Sequence, residues 1–136
     1  MIEINNLTTV SIDKKFLKRV AEKILKKEKK VLEISITLVG PAEIKKLNKK
    51  YRKKDKITDV LSFSYDHSGD IIICPQQIKE NASQFGVSFK KELTRVLVHG
   101  ILHLLGYEHE MAGRKAKEME KRQEYYLKLF LDNGKR

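Results

Sequence analysis

Val96-Leu97-Val98-His99-Gly100-Ile101-Leu102-His103-Leu104-Leu105-Gly106-Tyr107 is the most apolar stretch of the chain. Two histidines interrupt it, and it falls short of the roughly 20 residues that a bilayer demands, so it predicts a buried core helix rather than a membrane span. Residues four apart share a helix face one turn apart, which lets His99 and His103 aim imidazole nitrogens at a single ion. Gly106 is the natural stop. Without a Cβ it tolerates a left-handed backbone that turns the chain, so that His109 can return to the same ion. Three neutral imidazoles leave a zinc ion one open position, the mark of a catalytic rather than a structural site. The expectation is one Zn²⁺ per chain, held by His99, His103 and His109.

The alternative is that His99 and His103 are core histidines and His109 an unrelated surface residue. Two arguments oppose it. With 4 histidines in 136 residues, these offsets arise by chance about once in a thousand per starting histidine. Burying two imidazoles without partners among Leu97, Ile101, Leu102 and Leu105 is also costly. His67 has no such company and reads as a loop residue.

Outward from this helix, Ser88 with Lys91-Glu92 following marks its start, and Gly86 stops a preceding helix expected over 75–84. Val60–Ser64 and Asp70–Cys74 read as two strands of a hairpin, joined by the polar run Tyr65-Asp66-His67-Ser68-Gly69. Gly40-Pro41 opens a helix over Ala42 to about Tyr51, proline suiting the first helical position. Leu32, Ile34, Ile36 and Leu38 alternate with polar residues, as a half-buried strand does. Asp13 caps a helix whose apolar face is Phe16, Leu17, Val20, Ile24 and Leu25, and Ile2 and Ile4 suggest an edge strand. On the other side, a last amphipathic helix over 113–131 sets Met119, Tyr126 and Phe130 at near-helical spacing. The pattern is α+β, a small sheet flanked by about five helices, with a zincin-like metal site on the long buried helix. No repeat, low-complexity tract or linker divides the chain, so one domain over 1–136 is expected.

Lys plus Arg number 29 against 18 Asp plus Glu, a net charge of +11. A cation of that strength favours anionic partners, chiefly nucleic acid. The only cysteine, Cys74, excludes an intramolecular disulfide and reads as a small buried hydrophobe. Met1 to Asn6 lacks the basic start and apolar core of a secretory signal, so a cytoplasmic location, with no membrane partner, is expected.

The charge concentrates between Lys45 and Lys56, where Lys45, Lys46, Lys49, Lys50, Arg52, Lys53, Lys54 and Lys56 face the single acid Asp55. Such a block can neutralise several phosphates, Lys53, Lys54 and Lys56 among them, although a solvated helix face has the same composition. A metal site nearby favours RNA contact, because phosphodiester chemistry needs both an electrophile and cationic clamps.

The histidine spacing also matches the H-E-x-x-H-x-x-G-x-x-H pattern of the metzincin peptidases, except that Gly100 stands where their glutamate base does. A peptidase of that mechanism would lack the group that moves its protons. Glu108 and Glu110 flank His109 and are candidate bases, although solvated surface charge is the commoner role.

Three blocks taken together resemble the YbeY family, metal-dependent single-strand endoribonucleases of ribosomal RNA maturation and ribosome quality control. They are Tyr51-Arg52-Lys53-Lys54-Asp55-Lys56-Ile57-Thr58-Asp59-Val60-Leu61-Ser62-Phe63, then Gly69-Asp70-Ile71, then His99 through His109 with its Gly100. The resemblance implies His99, His103 and His109 as zinc ligands and Arg52 as a catalytic or RNA-positioning residue. It implies a mixed sheet, a single-stranded RNA substrate of ribosomal origin, and ribosomal subunits or proteins as partners. Glu108 stands where the family usually has Asp, and Ser64 where it usually has Pro. Asp59 and Asp70 also match family positions and are expected to cap backbone groups. Tyr51 and Tyr107 are candidates for base stacking, with packing as the commoner role. Two further function classes stay open: a non-enzymatic RNA-binding ribosome-assembly factor with a metal site, and a metallopeptidase.

Overall fold

The computed structural model describes residues 1–107 and 113–131. In chain order the described elements are β1 (Ile2–Asn6), α1 (Lys14–Lys27), β2 (Glu33–Leu38), α2 (Pro41–Arg52), β3 (Val60–Ser64), β4 (Ser68–Ile73), α3 (Pro75–Phe85), α4 (Phe89–Leu104) and α5 (Arg114–Leu131). The strands form one sheet in the order β1-β2-β4-β3. β1, β2 and β4 run parallel, with Ile4 opposite Ile36 and Ile36 opposite Ile71. β3 is antiparallel to β4 and forms one edge, with Ser62 opposite Ile71 and Phe63 opposite Asp70. The fold is therefore α+β with a mixed sheet.

Local chemistry sets the helix ends. Asp13 Oδ1 accepts the Phe16 N–H at 3.1 Å and starts α1, while Ser88 Oγ accepts the Lys91 N–H at 3.0 Å and starts α4. Caps of this kind contribute about 1 kcal/mol each. Pro41 stands at the start of α2, and Gly86, at φ +68°, ends α3. Beyond Leu104 the chain turns through Gly106 at φ +97°, whose N–H reaches the His103 carbonyl at 3.0 Å.

The hairpin differs from the sequence expectation. β4 begins at Ser68, two residues before Asp70, because pairing with β2 extends to Glu33 opposite Ser68. Ser68 and Gly69 carry no apolar signature, so the backbone ladder extends the strand where side-chain pattern cannot show it. The connector shrinks to Tyr65, Asp66 and His67, closed by the Tyr65 N–H on the Ser68 carbonyl at 2.9 Å. Asp70 thus sits inside a strand rather than capping its start. Leu32 falls just outside β2.

Successive strand residues point to opposite faces. On one face Ile34, Ile36, Leu38, Ile71 and Ile73 are buried in the larger core, which also holds Leu17, Val20 and Ile24 of α1 and Leu97 and Ile101 of α4. On the other, Val39, Ile44, Leu61 and Cys74 form a smaller core under α2, joined by Leu47, Phe63 and Ile72. Each fully buried aliphatic side chain stabilises the fold by roughly 1.5–3 kcal/mol.

A polar node ties α5 to the rest. Glu28, just after α1, accepts hydrogen bonds from the Tyr107 hydroxyl at 2.8 Å and from the Tyr126 hydroxyl, and pairs with Arg122 at 3.6 Å. Burial first, then the Glu28 hydrogen bond and charge, push both tyrosine pKa values above the ordinary 10.0.

Candidate active site

His99 and His103 lie on consecutive turns of α4, both half-buried, with their Nε2 atoms 3.1 Å apart and ring planes at 77°. Two imidazoles on one tetrahedral zinc, at Zn–N distances of about 2.0–2.1 Å, hold their nitrogens roughly 3.3 Å apart. The pair fits. On its other side, His99 Nδ1 lies 3.0 Å from Gln123 Oε1 of α5. A proton on Nδ1, donated to that oxygen, is the arrangement that leaves the Nε2 lone pair to a metal.

Gln123 was not singled out in the sequence, yet a signal existed. It shares a helical face with buried Met119 and Tyr126, four residues after one and three before the other. A polar side chain on a buried stripe needs a partner, and here the partner is the histidine.

Gly100, between the two histidines, is buried where α4 crosses the sheet. A Cβ there would stand 3.2 Å from Ser62 Oγ and 3.4 Å from Ile71 Cγ2. The strand motif and the histidine motif are thus two halves of one close approach, tight enough that a side chain at position 100 needs Ser62 to give way.

The carbonyl of Ser62 faces another candidate residue. Arg52, the last residue of α2, donates from Nη2 to that oxygen at 2.9 Å, and its guanidinium carbon lies 5.7 Å from the Phe63 ring centre. One residue of β3 therefore holds Arg52 with its backbone and meets the histidine helix with its side chain. A guanidinium has five N–H donors, and this exposed one keeps others for a phosphate.

Lys53, Lys54 and Lys56 follow on an exposed turn of defined shape. Lys53 takes a left-handed φ of +61°, the Lys54 N–H reaches the Asn48 carbonyl at 3.3 Å, and buried Asn48 donates from Nδ2 to the Lys56 carbonyl at 3.0 Å. All eight cations between Lys45 and Lys56 are exposed. The Lys49–Asp55 pair, 4.0 Å apart in solvent, adds little.

Other candidates sort by their contacts. Tyr107 commits its hydroxyl to Glu28, whereas Tyr51 remains exposed. The Asp59 carboxylate lies 3.5 Å from both the Thr58 hydroxyl and the Asn81 side-chain amide, side-chain rather than backbone donors. His67 is an exposed loop residue and Cys74 is fully buried. His109, the expected third ligand, lies outside the described residues, as do Glu108 and Glu110. Among the described residues, no group of three or more His, Cys, Asp or Glu side chains suited to a metal forms.

A family model described as Endoribonuclease YbeY matches residues 3–130. The chain belongs to the YbeY family. Endoribonuclease YbeY of Thermotoga petrophila is 45% identical over 114 residues, covering 82% of this chain and 76% of the relative. Its counterpart in Persephonella marina is 44% identical over 119 residues, covering 80% and 78%. A Thermotoga maritima protein of known solution structure superimposes with a TM-score of 0.75 at 38% identity, covering 99% of this chain and 92% of its own. YbeY proteins are endoribonucleases, enzymes that hydrolyse phosphodiester bonds of RNA. No helix of the described residues is long and apolar enough to cross a membrane.

Proposed function

We propose that the protein is a zinc-dependent endoribonuclease that cuts single-stranded RNA in the cytoplasm, acting on ribosomal RNA in maturation and ribosome quality control. Ribosomal subunits or proteins are its partners in that reading. The observation that carries it is the His99–His103 pair, with Nε2 atoms 3.1 Å apart and Gln123 Oε1 3.0 Å from His99 Nδ1. His99, His103 and His109 hold the metal. Zinc bound there supplies Lewis acidity toward a phosphoryl oxygen or water.

The chain's own residues do the rest. Arg52, steadied by the Ser62 carbonyl, counters the negative charge that grows on the phosphate under attack. Lys53, Lys54 and Lys56 hold flanking phosphates as the counterions leave. Gly100 lets α4 lie close to β3, since a Cβ there would stand 3.2 Å from Ser62 Oγ.

The test is cleavage of a single-stranded ribosomal RNA fragment by purified protein, with a chelated sample and His103→Ala purified identically. The expected result is cleavage by the untreated protein alone, lost on chelation, restored by zinc and reduced more than about 100-fold in the variant. Arg52→Ala should lose cleavage while keeping zinc, and Lys46→Ala should not. Equal cleavage by all preparations would overturn the enzymatic reading in favour of an assembly factor that binds RNA without cutting it.

A further inference from the structure

β3 is the edge of the sheet away from β1, and its two faces differ in kind. Ser62 faces α4 and the histidines. Phe63 and Tyr65, two residues apart, point to the opposite side, where α2 lies. Tyr51, in the last turn of α2, meets the Phe63 ring edge-on at 5.3 Å. Tyr65 directly follows β3, its backbone N–H bonded to the Ser68 carbonyl at 2.9 Å.

Tyr51 and Tyr65 are nevertheless 55% and 58% exposed. Single exposed tyrosines are ordinary. Tyr51 is held against Phe63, Tyr65 follows Phe63 by two residues, and cations flank the Tyr51 and Phe63 rings. The Lys50 ammonium lies 5.2 Å from the Tyr51 ring centre, and the Arg52 guanidinium 5.7 Å from that of Phe63. Aromatic faces beside cations form the combination that binds single-stranded nucleic acid with little regard to sequence, since every base has a face to stack.

We infer that Tyr51 and Tyr65 form a base-stacking platform for single-stranded RNA, from which the strand passes round the free edge of β3, past Arg52, to the histidines. The inference rests on the endoribonuclease reading above and names the residues that select the substrate's form. A duplex keeps its bases stacked internally, and its stiffness, with a persistence length of about 50 nm for DNA, prevents it from following that edge. A single strand can splay a base onto a ring and still turn.

The experiment measures binding of a short single-stranded oligoribonucleotide, and of the same oligomer with abasic positions, by fluorescence anisotropy. A His103→Ala background keeps the RNA intact. Tyr51→Leu and Tyr65→Leu should each weaken binding of the intact oligomer about tenfold and lose the preference for intact over abasic RNA. The salt dependence should not change, because no cation is removed. Thermal unfolding at the parent temperature shows that the variants fold. If both keep the full preference for the intact oligomer while Arg52→Ala weakens binding, the platform is wrong and the RNA reading stands. If the parent protein binds neither oligomer, the RNA reading falls and the platform with it.

Discussion

The two faces of the sheet are built to opposite ends. Against α1 and α4 the strands present Ile34, Ile36, Leu38, Ile71 and Ile73, and the packing is close enough that a single methyl at Gly100 would crowd Ser62 and Ile71. Against α2 the core is small, and beside it Ser35, Thr37, Glu43 and Asp70 line a cleft of about 470 Å³. Close packing fixes a side chain to a few tenths of an ångström, as two nitrogens sharing one ion require. A hydrated face keeps cations and tyrosines available to a flexible polyanion. The difference is one of packing across one sheet: one side is close-packed, the other is open and cationic at its rim, and Arg52 stands at the edge between them.

The strongest way to break that contrast is Gly100→Glu, which puts a carboxylate into the close-packed side. Overpacking and desolvation together should lower stability by about 4 kcal/mol, with Gly100→Ala losing about 1 kcal/mol, both read from denaturant midpoints. Unfolding unchanged from the parent would mean that the faces are not so different. A gentler probe is Gln123→Leu, which keeps the bulk beside His99 but removes the acceptor for Nδ1. Zinc affinity, measured by competition with a chromophoric chelator, should fall 10- to 100-fold at unchanged helical content.

The node that seats α5 gives a pH signature. Tyr107 and Tyr126 hold their protons more tightly when folded than their ordinary pKa of 10.0, first through burial and then through Glu28. A raised folded pKa gives stability that is complete below the unfolded value and lost as pH climbs past it. Stability should therefore decline above about pH 10, and Tyr126→Phe, less stable at neutral pH, should decline less steeply. An equal slope in the two proteins, followed by circular dichroism, would remove Tyr126 from the account. The smallest effect sharpens the solvated side. Lys53→Gly relieves a left-handed φ and should raise stability by about 0.5 kcal/mol, while RNA binding loses about 0.7 of a unit of salt slope.

Much of this was legible in the chain itself, for local reasons. Asp13, Ser88, Gly86 and Gly106 announce helix ends because capping chemistry acts within a few residues. His99 and His103 announce a shared face because helix geometry converts a spacing of four into proximity. Ser68 and Gly69 gave no strand signal, since their membership of β4 comes from pairing with β2, a partner far away in sequence. Asp70 was misplaced as a cap for the same reason.

The histidine helix, the cationic run before it in the chain and the order of strands and helices are legible in the residues alone, because all are matters of period, charge and caps. Tertiary packing is needed to bring Gln123 to His99 Nδ1, to join Arg52 to the histidine helix through Ser62, and to set β3 and β4 against Gly100. Those relations depend on which atoms of distant segments come within 3 to 4 Å, and such contacts exist only once the sheet and α4 have packed.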